Sequence, residues 1–415
     1  MFRNNHGHRG FICAAALSLL LSGCLGMTKA NINMDFGRYE EAIPLYQAYL
    51  AKNPDSVPAH NKLGFAYLKT GQLDSAIKEF ETVRKVEPNN SHAILYLGMG
   101  YLNKEDFGKA LVTWQAYRSE KEPLVEAEIK RLLTVVEIAE SQRLARKALA
   151  QEEQLKAKQP DSNTVSVCYY QDLSPDKSLS AFQKGLAAML ITDMSRIKSL
   201  RVVERLRLQA LFQEMKLGQT GIVDERTAPR VGHLLGAENL VTGNLTMGSI
   251  RAATSLVSAS AGNVTGSSVV EVEKENFYEL PKLIIENYAK IKGIELTPEE
   301  KQSIGISHTK NYQAFIYYGE GLNALDQGKW QDAKDLFNKA LKLDPKFDLA
   351  SEGAESTPSS ASPGVDTIAQ MSVSQLTGHV ATSIDQAAMD QKAADEEAAA
   401  EAAQEAEGDG GGDSH

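Results

Sequence analysis

A 34-residue period runs through the first part of the chain and limits its fold more than any other feature of the 415 residues. Gly37 and Gly71, Pro54 and Pro88, Gly64 and Gly98, and Tyr67 and Tyr101 are each 34 apart. Ala42, Ala76 and Ala110 keep the same step, as do the aromatics Tyr46, Phe80 and Trp114. Such a period marks stacked helical hairpins, because each unit has an apolar face that it cannot bury alone. Gly64 and Gly98 allow paired helices to approach closely, the aromatic four residues after each alanine fills the space beside them, and Pro54 and Pro88 stop the second helix. Glu105 replaces the glycine between helices and Pro123 comes one residue late, so the third unit is expected to be imperfect at its end. A further copy is legible in Gly328, Trp330, Ala333, Phe337, Ala340 and Pro345.

The spacing resembles tetratricopeptide repeats. The resemblance places the first helix of each hairpin on a concave binding face, presenting Asn61, Phe65 and Leu68 from one repeat and Leu95, Met99 and Leu102 from the next. That lining is apolar, so a hydrophobic helix or strand suits it better than a peptide carboxylate, which would want Lys or Arg. Phe65, Leu68, Met99 and Leu102 are therefore the candidate partner groove. The alternative is burial of the same strip against the following domain or the short N-terminal segment. Leu124 to Gln159 has apolar residues at helical spacing and no glycine or proline until Pro160, which reads as one long helix or a helix pair closing the array.

Residue types change after Pro160. Thr164 to Tyr170 is a β-branched and aromatic run, and Phe182, Leu186, Met189, Leu190, Met194 and Ile197 share one helical face. Leu200 to Val203 reads as a short strand, Arg205 to about Lys216 as a helix, and a loop carrying Gly218 and Gly221 follows. Pro229 to Leu235 is a short helix, Asn239 to Leu245 a strand, and Ile250 to Ser258 and Ser267 to Glu273 a hairpin around Ala261-Gly262-Asn263. Leu280 to Ile291 is amphipathic. Strands alternating with helices and ending in a hairpin imply an α/β, or α+β layered, domain.

Leu200-Arg201-Val202-Val203-Glu204-Arg205, Leu211 with Gly221, and above all Gly232 through Gly243 resemble the periplasmic domain of the CsgG family, which includes the curli secretion lipoprotein. The resemblance implies that Gly236 caps a helix in the left-handed conformation and that Gly243 lets a strand pass close to a neighbour. These roles are structural. Secretion-channel members of the family carry long amphipathic hairpins that together build a membrane barrel, each strand needing about 9 to 11 residues to cross. Thr246 to Glu273 allows one short hairpin, so a pore is not expected. Lipoprotein activators of peptidoglycan synthases, which resemble this fold without a channel, are a second model of behaviour.

Arg3 and Arg9 precede an apolar run from Phe11 to Leu21, then Ser22, Gly23 and Cys24. This has the build of a signal peptide, with an h-region too short to span as a mature helix. Leu21-Ser22-Gly23-Cys24 resembles a bacterial lipobox, in which the cysteine is acylated after cleavage before it; two or more acyl chains on Cys24 would anchor the protein without a transmembrane helix. The resemblance associates Asp after the cysteine with inner-membrane retention, and Leu25 favours the outer membrane. Residues 351 to 415 carry thirteen acidic residues against Lys392 alone, whereas residues 24 to 350 balance at 41 basic and 41 acidic. A neutral body with an acidic tail lacks the basic face that nucleic acid requires.

No His-Glu-x-x-His, Cys-x-x-Cys or phosphate loop occurs, and no catalytic, cofactor or metal constellation is found. Cys168 and His233 read as core residues, and Asp172 and Asp176 as turn formers. The sequence therefore predicts a mixed fold: signal peptide 1–23, all-α tetratricopeptide-repeat solenoid 24–159, CsgG-like α/β domain 160–295, C-terminal repeat hairpin 296–350, and a disordered acidic Ala/Glu-rich tail 351–415, with at most a transient helix from Ser383 to Ala406. The function expected is that of a non-enzymatic, periplasm-facing outer-membrane scaffold for envelope assembly or secretion, with protein partners in the repeat groove and the membrane held through Cys24. A regulator of a peptidoglycan synthase, an oligomeric secretion channel and an envelope enzyme are the competing readings, and a homo-oligomer stays open.

Overall fold

The computed structural model describes residues 27–119, 121–174, 179–216, 223–246 and 249–408. Cys24, Asp176, Gly218 and Gly221 lie outside them. The chain forms two bodies, residues 1–129 with 372–415 and residues 130–371.

The first body is the repeat array. Its helices are α1 (27–35), α2 (Tyr39–Leu50), α3 (Val57–Lys69), α4 (Leu73–Val86), α5 (Ser91–Asn103), α6 (Phe107–Gln115) and the start of α7 (Pro123–Ala150). Each hairpin is closed by the interlock that the period implies. A methyl group built on Gly64 would stand 2.8 Å from the Phe80 ring, and one on Gly98 would stand 2.2 Å from Trp114, so the aromatic of the second helix occupies the space where a side chain of the first would be. Trp114 also donates its indole N–H to the Leu95 carbonyl at 3.1 Å, as a buried indole must. Gly37 and Gly71 turn the chain between helices at φ +69° and +73°, which only glycine adopts without strain. Glu105 holds the same place at φ 59°.

The second body begins with the rest of α7 and α8 (Glu152–Lys156), which contacts α11 below; the long helical stretch expected to close the array therefore belongs from Lys130 onward to the other body. Then come β1 (Asp161–Val167), β2 (Gln171–Asp172), α9 (Ser180–Met194), β3 (Arg201–Val202), α10 (Arg205–Glu214), α11 (Ala228–Leu235), β4 (Ala237–Thr246), β5 (Ile250–Ser258), β6 (Asn263–Val272) and α12 (Leu280–Lys292). The sheet runs β3-β1-β4-β5-β6, with β1 parallel to β3 and β4, and β4-β5-β6 antiparallel. β2 adds parallel to β4. Helices α9 and α12 pack against each other and on the sheet. The parallel strand β1 is buried along its C-terminal half, whereas β6, at the edge, alternates between exposed and covered positions, as expected for an antiparallel strand with one wet face.

The glycine roles implied by the family resemblance hold. Gly236 caps α11 at φ +68°, and a methyl group on Gly243 would sit 2.1 Å from the Ala253 carbonyl and 2.7 Å from Tyr170. Cys168 and Tyr170 are buried beside this crossing, and burial pushes the Cys168 thiol up to about 12.

Helices α13 (Pro298–Ile304), α14 (Tyr312–Asp326), α15 (Trp330–Leu343), α16 (Asp348–Ser356) and α17 (Val365–Gln370) complete this body. The last repeat is α14–α15, and Gly321 meets Phe337 as Gly64 meets Phe80. It is welded to the sheet domain through α9 instead of standing apart as a separate hairpin: a methyl group on Gly319 would lie 1.9 Å from the Ala181 carbonyl, and one on Gly185 would lie 2.6 Å from Phe315.

The tail expectation is corrected up to residue 408. Val365 and Ile368 of α17 are buried, Trp330 donates to the carbonyls of Ser362 and Pro363 at 3.2 and 3.1 Å, and α18 (Val373–Gly408) is a 36-residue helix in the first body. Its composition is that of a disordered tail, but Leu376, Val380, Ile384 and Ala387 fall on one helical stripe and are all buried.

Candidate partner groove

The residues expected to line the groove sit on α3 and α5, and the two helices differ. Phe65 and Leu68 of α3 are half-buried. Phe65 stands edge-on between Tyr39 and Tyr96, at 6.0 and 4.9 Å between ring centres, with the Lys69 ammonium 5.1 Å above it. On α5, Leu95, Met99 and Leu102 are buried. α5 is also the helix against which α18 packs.

The docked helix presents its aliphatic stripe at 376, 380, 384 and 387, the i, i+4, i+8, i+11 spacing of one helical face. Burial, and then the carboxylate of Asp385, raise the Tyr96 hydroxyl to about 12. At the far end of the stripe, Gln391 accepts a hydrogen bond from the Leu124 backbone N–H at 3.0 Å. That N–H is in the first turn of α7, where no intrahelical partner exists. His379 lies in the same interface with a buried Nε2 that has no partner in the structure. Burial lowers its pKa, and Glu128 opposes that.

Asn61, the polar member of the lining, donates to Asn90 Oδ1 at 3.1 Å, while Asn90 in turn accepts from the Ala93 N–H at the start of α5. The groove floor is thus fixed by hydrogen bonds within the array.

Sequence reasoning missed the buried charges of the second body. Asp326, near the end of α14, pairs with Lys184 of α9 and, at 2.5 Å, with Arg205 of α10. Lys184 also sits 5.0 Å from the Tyr169 ring. Burial raises the carboxyl pKa of Asp326, but the two cations outweigh it and hold the pKa below its ordinary value. His308 is gripped at both ring nitrogens, Nε2 by Asp193 at 3.0 Å and Nδ1 by Asp348 at 2.8 Å. Burial pulls its pKa down, yet the two carboxylates hold it at about 9. It borders a cleft of about 370 Å³ with Asp193, Tyr278 and Lys310. With both nitrogens committed to carboxylates, the imidazole is not free for proton transfer. These partners are 40 to 142 residues apart in sequence, so no local spacing announces them. Among the described residues no group of His, Cys, Asp and Glu is placed to hold a metal, and no helix is long and apolar enough to cross a membrane.

Residues 33–98 match one tetratricopeptide repeat family and residues 314–347 another, and residues 146–247 match the curli production assembly/transport component CsgG. The chain is 32% identical over 127 residues to anaphase-promoting complex subunit 3 of Schizosaccharomyces pombe, covering 31% of this chain and 18% of that protein. It is 34% identical over 77 residues to the BBSome complex member bbs-4 of Caenorhabditis elegans, covering 19% and 17%. The chain therefore spans less than a fifth of the length of these relatives. Among solved structures, a tetratricopeptide repeat protein of Parabacteroides merdae aligns at 13% identity and a TM-score of 0.27, over 81% of this chain and 99% of that one. Yeast Tom70 aligns at 14% identity and the same score, over 81% and 68%. The protein carries tetratricopeptide repeats on either side, in sequence, of a segment that matches the CsgG family.

Proposed function

We propose that the protein is a non-enzymatic scaffold, lipid-anchored through Cys24 in the outer membrane and facing the periplasm, which binds envelope proteins through its repeat groove in curli-type assembly or secretion. The observation that carries the reading is the apolar helix α5, on which Leu95, Met99 and Leu102 are buried and against which the amphipathic helix α18 packs. A surface that accepts one amphipathic helix has the chemistry of a protein-binding groove. The lipid anchor is supported by Leu21-Ser22-Gly23-Cys24.

A pore is the less favoured reading. The hairpin β5–β6 is consumed by the domain itself: β5 pairs along its length with β4, and β6 packs on α12, with Ile291 over Gly266. Purified protein is expected to cause no leakage from dye-loaded liposomes, and stepwise conductance would restore the channel. Fatty-acid labelling is expected to vanish in Cys24→Ser and to persist in Cys168→Ser, with the wild type in the outer-membrane fraction; equal labelling of the two variants would remove the anchor. Cross-linking in native membranes tests the scaffold role, and recovery of no envelope protein would count against it.

A further inference from the structure

We propose that the groove over α5 takes an amphipathic helix with a stripe of small and aliphatic side chains, and that α18 is the resident copy of this ligand, which an incoming helix must displace. The proposal rests on the scaffold reading and specifies its partner.

Three observations support it. The first is complementarity. Leu376, Val380, Ile384 and Ala387 form the buried stripe of a helix that packs against α5, the helix carrying the buried Leu95, Met99 and Leu102, and Gln391 accepts from the Leu124 backbone N–H. The partner's pattern is therefore written in this chain: an aliphatic residue every three or four positions, tapering to alanine, then an amide.

The second is that the docked half of α18 is a poor helix by itself. Residues 377 to 383 read Thr-Gly-His-Val-Ala-Thr-Ser, types that favour helix weakly, and a methyl group on Gly378 would touch nothing within 4 Å. The glycine there serves no close approach, and its main effect is to weaken the helix. The strong helix formers lie beyond, in the Ala/Glu half, where Met389 and its neighbours are exposed. The segment that is held is the one with the least tendency to be helical, so it is ordered mainly by the groove.

The third is that the contact is left polar and incomplete. His379 buries an Nε2 with no partner among the described residues, which makes this contact less favourable than an all-apolar one. A helix of the same chain can tolerate this because its docking is intramolecular. A free helix of better composition can then compete once it is abundant or itself tethered.

The test uses the full chain and a fluorescein-labelled peptide of residues 373–391. The wild-type chain should bind the peptide weakly. Val380→Glu with Ile384→Glu in the chain should empty the groove and tighten peptide binding at least tenfold. Gly378→Pro, which breaks α18 without adding charge, should do the same, so the test survives misfolding of either variant. Adding Met99→Glu to the unplugged chain should abolish binding. A peptide carrying Val380→Pro should fail to bind; equal binding would mean that the groove reads an extended segment and would overturn the helix. Unchanged affinity in both unplugged chains would overturn the plug, while the cross-linking result for the scaffold would stand independently.

Discussion

The hairpins α3–α4 and α14–α15 share their interior and differ on the face that points away from it. Gly64 meets Phe80 in the one, and Gly321 meets Phe337 in the other. Gly71 and Gly328 turn at φ +73° and +69°. On the outer face of the first helix, Asn61, Phe65, Leu68 and Lys69 correspond by repeat offset to Tyr318, Leu322, Leu325 and Asp326. The first set is half-buried or exposed, and the second is entirely buried. In the first array that face is an open groove edge; in the last repeat it is a weld, with Asp326 paired to Lys184 of α9 and Arg205 of α10 and its carbonyl accepting from Gln213 of α10 at 3.3 Å. The repeat pattern thus specifies how a hairpin closes, and the four outer positions decide whether it binds or is bound.

The largest expected effect breaks the weld. Asp326→Ala should cost the body formed by residues 130–371 about 3 to 5 kcal/mol, because Lys184 and Arg205 are then buried without their counter-charge. Lys69→Ala, at the same offset in the open hairpin, should cost less than about 1 kcal/mol, since its ammonium is exposed over Phe65. Urea unfolding of the two variants measures the contrast, and similar losses would erase the distinction between weld and groove.

The weld should also respond to pH. His308 titrates at about 9 in the folded protein against an ordinary 6.5, because Asp193 and Asp348 favour the charged ring more than burial disfavours it. Its contribution is fully present below pH 6.5 and is lost as pH rises through about 9. The shift corresponds to a contribution on the order of 3 kcal/mol. His308→Asn should flatten this slope in urea midpoints collected from pH 6 to 10. An unchanged slope would mean that the imidazole is held neutral.

The shared interior is probed by Gly64→Ala and Gly321→Ala. The added methyl would fall 2.8 Å from the Phe80 ring and 2.6 Å from the Phe337 ring. Overpacking of this kind costs about 1 to 3 kcal/mol, and the two losses should agree in urea unfolding. A large inequality would show that the hairpins are not interchangeable inside.

This division explains what the sequence could tell. Hairpin interiors were legible because glycine, alanine and aromatic recur at fixed offsets, and the layered α/β class because β-branched runs alternate with helical faces from Thr164 to Ile291. The outer faces were not, because their partners are remote: Lys184 and Asp326 are 142 positions apart. For α18 the sign was wrong for a related reason. Thirteen acids and a run of alanines dominate the tail's composition, whereas docking depends on four aliphatic residues at one helical spacing, diluted among Gly, Ser and Thr. Of the four groove residues named from the repeat, Met99 and Leu102 lie on α5, the helix that α18 covers, and Phe65 and Leu68 line the half-open edge.

The smallest expected effect is a gain, and it concerns the turn at which the first array departs from its own glycine period. Glu105 adopts φ 59° where Gly37, Gly71 and Gly328 adopt +69°, +73° and +69°. A non-glycine residue pays about 1 to 2 kcal/mol for the left-handed conformation. Glycine returns part of that gain through the extra freedom of its unfolded chain, about 0.5 to 1 kcal/mol. Glu105 is exposed, so its side chain contributes little packing to oppose the exchange. Glu105→Gly should therefore raise the stability of the α5–α6 hairpin by about 0.5 to 1 kcal/mol, read as a higher urea midpoint with an unchanged slope. Gly71→Glu, the reverse exchange one repeat earlier, should lower it by a similar amount. If Glu105→Gly destabilises instead, the carboxylate holds the turn by an interaction of its own, and the third repeat has a closure distinct from that of the other hairpins.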